Sequence, residues 1–392
     1  MFFPRIPSAR QPNRVSRALK RLHAQATEIT DLTESNPTQV GLHYPEDLLE
    51  ELAGTAGLVY DPQPRGLAAA RAAVVRYAAP PGTDVNPDRV VLTTSTSDAY
   101  SCLFKLLCAP GDAVLVPQPS YPLLEHLTRL DAVEPVAYPL VYHDAWEVDA
   151  DALRSLVTPR TRALVVVHPN NPTGSFLTAK DRELVTTVCR DNGLALIADE
   201  VFGGYTMDPE SGPGSLVDTA ADVLTFGLGG LSKAVGLPQL KLGWILLSGP
   251  SREVGRALHA LDLICDTYLS VATPVQVALN GLLARGRAVA DQISTRVRQN
   301  HSVLTREADM APATDLLRVD GGWYAVLQVP ATRTEEALVL DLLERDHVLV
   351  HPGYFFDFPR EAFLVLSLLP EPGCFDTGVA RVMARIASDT PA

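Results

Sequence analysis

The feature that most restricts this fold is an alternation that begins near residue 65. Short runs of β-branched and aliphatic residues are each followed by a stretch with helical spacing. The pattern predicts helices over 67–77, 98–107, a stretch after Pro122, and 179–191. Between them it predicts strands at Val90–Thr94, Ala113–Val116, Ala163–Val167, Leu194–Ala198 and Val223–Phe226. This is the βαβ rhythm of a mostly parallel sheet covered by helices on both faces. Ligands of such sheets lie beyond the carboxyl ends of the strands. After about residue 285 the texture becomes that of a smaller α+β domain. A long helix over 286–308 is expected there, then the segment Gly321–Leu327, a helix over 335–345, and strands near Val348–Val350 and Phe363–Leu366.

The bulk properties narrow the function classes. A chain of 392 residues exceeds one small core, which favours a large and a small domain. No apolar run approaches the roughly 18 residues that a membrane span needs. The net charge of −13 disfavours nucleic acid or an anionic membrane as a main partner. The basic start (Arg5, Arg10, Arg14, Arg17, Lys20, Arg21) is read as the solvated face of an N-terminal arm rather than a transit peptide. Cys102, Cys108, Cys189, Cys265 and Cys374 form no C-x-x-C pair. They are expected to be ordinary thiols of a cytoplasmic protein, with no metal site.

Each chemically suggestive motif follows a predicted strand. Thr93–Tyr100 offers hydroxyls and free N–H groups at a helix start, suited to a phosphate dianion or to simple capping. His168-Pro-Asn-Asn-Pro-Thr-Gly174 is either a structural turn or a device presenting the Asn171 amide. Asp199 ends an apolar strand, where a carboxylate requires a cation or donors. The partner would be a protonated pyridine nitrogen, an arginine or a helix N-terminus. Gly227-Leu-Gly-Gly-Leu-Ser-Lys233 lacks both G-x-G-x-x-G and the Gly-Lys-Ser/Thr of a P-loop. Its lysine, in what reads as a Gly-rich turn, is either a surface residue or a desolvated nucleophile.

In this order the motifs resemble those of the class I/II aminotransferases, fold-type I pyridoxal-phosphate enzymes, from about Asp31 to Pro370. The resemblance implies an aspartate-aminotransferase-like α/β fold: a mostly parallel seven-stranded sheet between helices, plus a smaller α+β domain. Residues 41–285 would form the large cofactor-binding domain and 286–392 the small one, with 1–40 an arm that joins the small domain. It implies pyridoxal 5′-phosphate bound to Lys233 as a Schiff base, with Lys233 later shuttling a proton. Asp199 would hold the pyridine nitrogen protonated, Asn171 the ring hydroxyl, and Tyr121 would stack on the ring. Ser95, Thr96, Ser97 and Ser232 match phosphate-binding positions, and Tyr60 matches the tyrosine that reaches a partner subunit's phosphate. A homodimer with shared active sites follows.

Three positions depart from the family pattern. Phe202 stands where a tyrosine usually donates to the ring oxygen, leaving Tyr205 as substitute or Asn171 alone. Lys241 replaces the phosphate arginine, keeping the charge and losing the bidentate fork. Val365 occupies the place of the arginine that grips the substrate carboxylate, with Arg360, Arg65 and Ser35–Thr38 as possible stand-ins. The expected activity is amino transfer between an amino acid and a keto acid. A pyridoxal-phosphate lyase of the β-elimination type is the alternative, and a non-catalytic regulator a third reading.

Overall fold

A computed structural model of the chain describes residues 12–78, 85–210, 214–217 and 222–389. Arg5 and Arg10 of the basic start lie outside them. The large sheet has eight strands in the order Val90–Thr93, Gly243–Ser248, Thr225–Gly230, Ala195–Asp199, Thr161–Val167, Ala113–Gln118, Glu134–Tyr142 and Trp146–Val148. The first seven form the expected mostly parallel sheet; only Gly243–Ser248 runs antiparallel to its neighbours. The eighth, Trp146–Val148, is an antiparallel addition along the end of Glu134–Tyr142. Three of these strands, Gly243–Ser248, Glu134–Tyr142 and Trp146–Val148, lie outside the expected set. Glu134–Tyr142 carries Pro135 and Pro139, which argue against a strand but are tolerated near a sheet edge.

Both faces of the sheet are buried, which explains the continuous apolar runs. Val114, Val165, Ile197, Phe226 and Ile245 pack with residues of the helices Thr96–Leu107 and Ser251–Tyr268. Leu115, Leu164, Val166 and Leu196 point the other way, into a core shared with helix Ala179–Asn192 and the small domain.

The stretch Gly227–Gly230 is not the turn expected from its composition. It continues the Thr225–Gly230 strand, paired in register with Gly243–Leu246. Glycine ordinarily weakens a strand. Here a Cβ on Gly229 would lie 2.4 Å from the Trp244 indole nitrogen, so close approach requires the bare backbone. Lys233 therefore sits past the true strand end, on the short helix Leu231–Ala234.

The long helix runs from Thr273 to Asp309, beginning well before Gly286, so the expected boundary at 285 falls inside it. Gly286 lets this helix press against the lysine segment: a Cβ there would be 2.6 Å from Val235 Cβ. The small domain is an antiparallel sheet in the order Asp315–Leu316, Tyr324–Gln328, Phe363–Ser367, His351–Pro352. Helices Glu335–Arg345 and Pro372–Asp389 accompany it, and Thr30–Asp31 pairs in parallel with Val348–Leu349. No helix of the described residues is long and apolar enough to cross a membrane.

Candidate active site

Three adjacent strands of the large sheet deliver the central groups. Val167, Asp199 and Leu228 are register partners across them, so Asn171, Asp199 and Lys233 follow from one edge of the sheet. The Asp199 carboxylate takes two donors: the Val201 amide at 3.2 Å on Oδ1 and the Tyr100 hydroxyl at 3.0 Å on Oδ2. Loss of hydration raises its pKa from the ordinary 3.8 to about 6, against the pull of those two bonds. No described arginine or lysine forms an ion pair with it, which removes the arginine alternative weighed above.

Lys233 has no hydrogen-bond or ion-pair partner among the described residues. Its Nζ lies 4.4 Å from the centroid of the Trp323 ring and 5.3 Å from that of Phe202. Desolvation lowers its pKa from 10.5 to about 8. A lysine so placed has a minor unprotonated fraction near neutrality that grows toward pH 8, the form that attacks carbonyl carbon. Its main chain is held as well. The Tyr205 hydroxyl donates to the Lys233 carbonyl at 2.5 Å, and the Tyr77 hydroxyl to the Ala234 carbonyl at 3.0 Å. Tyr205 is thus committed to the backbone and does not take over the role left open by Phe202.

Asn171 is buried, and its Oδ1 has no hydrogen-bond partner among the described residues. The indole N–H of Trp323, itself fully buried, likewise has no hydrogen-bond partner among the described residues. Buried polar atoms are nearly always satisfied, so such orphans, the Trp323 one on the ring beneath the Lys233 amine, mark a place for a polar ligand. Tyr121 is 43% exposed and close enough to Asp199 for that charge to help raise its hydroxyl pKa, after the larger effect of burial. The neighbouring Ser120 amide bonds the Phe356 carbonyl at 3.0 Å, tying this loop to the small domain.

The phosphate candidates gather at one corner. Ser95 caps helix Thr96–Leu107 by accepting the Asp98 amide at 3.1 Å, so capping is realised there. The Thr96 and Ser97 side chains have no hydrogen-bond partner among the described residues. Close contact joins this turn to the lysine segment: a Cβ on Gly243 would meet the Ser95 carbonyl carbon at 2.9 Å, and the Leu231 amide bonds the Leu242 carbonyl at 3.0 Å. Ser232 and Lys241 flank that junction, Lys241 exposed and in the left-handed region at φ 49°.

Other expected residues are not brought in. Tyr60 is 72% exposed and makes no recorded contact with the site within its own chain. Val365 is fully buried mid-strand, paired with Val326 and His351. Arg360 stacks on Phe363 at 4.8 Å, and Arg65 pairs with Asp262 at 2.8 Å, so neither is poised as a carboxylate clamp. Ser35 lies near the hydroxyl of buried Tyr324.

Tyr100, Trp323, Tyr324 and Tyr77 were not singled out from the sequence. Tyr100 left a signal: it lies four residues after Thr96, on the same face of that helix. Trp323 left none, because nothing in the segment Gly321–Leu327 that carries it points to chemistry.

Known proteins resemble the chain throughout its length. The family model "Aminotransferase class I and II" matches residues 28–386. An alanine aminotransferase of Mycobacterium tuberculosis is 30% identical over 89% of this chain and 83% of its own. The glutamate-pyruvate aminotransferase AlaA of Escherichia coli is 26% identical over 91% and 90%. Among solved structures, an Escherichia coli aminotransferase superposes with a TM-score of 0.86 at 25% identity, covering 96% of this chain and 95% of that one.

Proposed function

This chain belongs to the aminotransferase class I and II family, and from that premise we propose that it moves the amino group of a small amino acid such as alanine to a keto acid, using pyridoxal 5′-phosphate held on Lys233. It is a transaminase; the cofactor, the residue roles and the substrates are the reading advanced here. The observation that carries it is the desolvated, unpaired Lys233 amine following the same sheet edge as Asp199 and the orphaned Asn171 oxygen.

The residues present fit the cofactor. Asp199 would face the ring nitrogen, Asn171 the ring hydroxyl and Tyr121 the ring face. Ser95, Thr96, Ser97, Ser232 and Lys241 would surround the phosphate. When bound, pyridoxal phosphate supplies an electron sink for bonds at the substrate Cα. The protein does the rest. Asp199, ionised above about pH 6, keeps a proton on the nitrogen facing it. Lys233 Nζ, unprotonated in part near neutrality, would take the proton from the substrate Cα and deliver it two bonds away, to the carbon on the far side of the amino nitrogen. Phe202 and Trp323 wall the amine with apolar surface, excluding the water that would otherwise protonate it.

A second copy of the chain is part of the proposal. Leu58, Val59 and Tyr60, and on helix Ser251–Tyr268 and its cap Leu263, Tyr268 and Leu269, are exposed large apolar side chains of the kind a homodimer buries. A cytoplasmic location is inferred together with it. The relatives' names point to alanine, and pyruvate is its keto product.

The test is a single half-reaction. Cofactor-loaded protein given alanine alone should release about one pyruvate per chain and then stop until a keto acid is added. Failure to release pyruvate from alanine, with ammonia released continuously from 3-chloroalanine, whose chloride can leave, would indicate elimination and overturn the reading.

A further inference from the structure

Asp199 is gripped from two elements. Val201 belongs to its own segment, whereas Tyr100 comes from helix Thr96–Leu107, whose first residues border the phosphate candidates. We propose that Tyr100 is a positioning residue for the cofactor: its hydroxyl holds Asp199 ionised and oriented toward the ring nitrogen, and its helix couples that bond to the phosphate seat. The inference rests on the reading of Lys233 and Asp199 given above.

Burial makes Tyr100 a fixed donor. The side chain is 3% exposed, and burial, then the neighbouring Asp199 charge, push its hydroxyl well above the ordinary range. The proton therefore stays on the phenol at every working pH, and the Asp199 oxygen can only accept it. A donor bond to the charged form favours that form, opposing the desolvation that would neutralise the carboxyl. The other titratable groups around the pair do not replace it. Tyr121 faces Asp199 from the loop after Ala113–Gln118, partly exposed; Tyr138 stands near Tyr100 with its hydroxyl given to the Val165 carbonyl at 2.9 Å; Lys233 follows the neighbouring strand with no recorded bond to the carboxylate.

The geometry also explains why one helix does both tasks. Thr96 and Tyr100 are four residues apart, so they project from one helical face. The phosphate seat is fixed by backbone contact with Gly243, and the Tyr100 hydroxyl is fixed by Asp199. Movement of the helix would loosen both ends of the cofactor together.

The probe is pyridoxine 5′-phosphate, which lacks the aldehyde and binds without a bond to Lys233. Its dissociation constant is measured on the apo forms of wild type, Tyr100→Phe, Asp199→Asn and the double variant. The Phe variant should bind about tenfold more weakly near pH 7, the fold-change expected for one charge-assisted bond. The loss should be larger at about pH 6, near the Asp199 transition, than at about pH 8. In the Asp199→Asn background, Tyr100→Phe should have no further effect. In the apo protein, the carbon-13 signal of the Asp199 carboxyl should titrate at higher pH in the Phe variant. An equal loss in both backgrounds, or an unmoved titration, overturns the role of Tyr100 and leaves the Lys233 reading intact. Failure of wild type to bind the probe would instead sink that reading. If the Phe variant does not fold, 3,5-difluorotyrosine at position 100 strengthens the donor without changing its shape. Tighter binding near pH 6 is then expected, and unchanged binding refutes the proposal.

Discussion

Lys233 and Asp199 are the two ionisable side chains on which the proposed site rests, and burial disfavours the charged form of each. The folded pKa of Lys233 is lowered from 10.5 to about 8, so between those values the unfolded chain binds more protons. Stability of the apo protein must then rise with pH across that window, and be lost as pH falls through about 8. Lys233→Met should flatten that slope and raise apo stability near neutrality, which urea unfolding at several pH values would show. For Asp199 the sign is opposite. Its folded pKa is raised from 3.8 to about 6, so its contribution is present below 3.8 and lost as pH climbs through 6. Asp199→Asn should therefore stabilise the apo protein near neutrality by about 2 kcal/mol while abolishing activity. A destabilised Asn variant would mean that the carboxylate is held by more than its two donors. Tyr205→Phe removes the bond to the Lys233 carbonyl. It should cost about 1 kcal/mol in denaturant unfolding and lower turnover, with the fold retained.

At the scale of elements, the glycine strand decides where the lysine stands. Gly229→Ala would drive a methyl group into the Trp244 ring, and should destabilise the protein by about 2 kcal/mol or more by denaturant midpoint. A silent substitution would mean that Trp244 can move aside. The same strand shows what limits a reading from sequence. The parallel strands before it, with their β-branched runs, are legible because burial on both faces demands continuous apolar residues. Gly227–Gly230 reads as a turn because a glycine such as Gly229 answers to a neighbour's bulk, and that neighbour, Trp244, is fifteen residues further on. Gly286 hides the early start of helix Thr273–Asp309 for the same reason, answering to Val235. In the site, Lys233, Asp199 and Asn171 were legible from their order after strands. Trp323 and Tyr324 were not, since they arrive from the small domain by tertiary packing alone.

The whole molecule brings the small domain against the large one at the aromatic wall of Trp323, Phe202 and Tyr324, with Phe356 adjoining. Tyr60 is exposed in this chain, and in the proposed homodimer it would reach the site of the second copy. Mixing Lys233→Ala with Tyr60→Ala protein should regenerate activity through hybrid dimers that own one unaltered site. No recovery on mixing, with both variants dimeric by sedimentation, would place Tyr60 outside catalysis. Leu263→Glu together with Tyr268→Glu should shift the sedimenting species toward monomer.

The most direct measurement concerns Lys233 itself. Purified protein incubated with pyridoxal 5′-phosphate should show an absorption band in the region of roughly 330–430 nm. Borohydride should then fix the cofactor to a single peptide, the one containing Lys233, when the digest is read by mass spectrometry. Attachment at another lysine, or a wild-type protein that takes up no cofactor, would contradict the account.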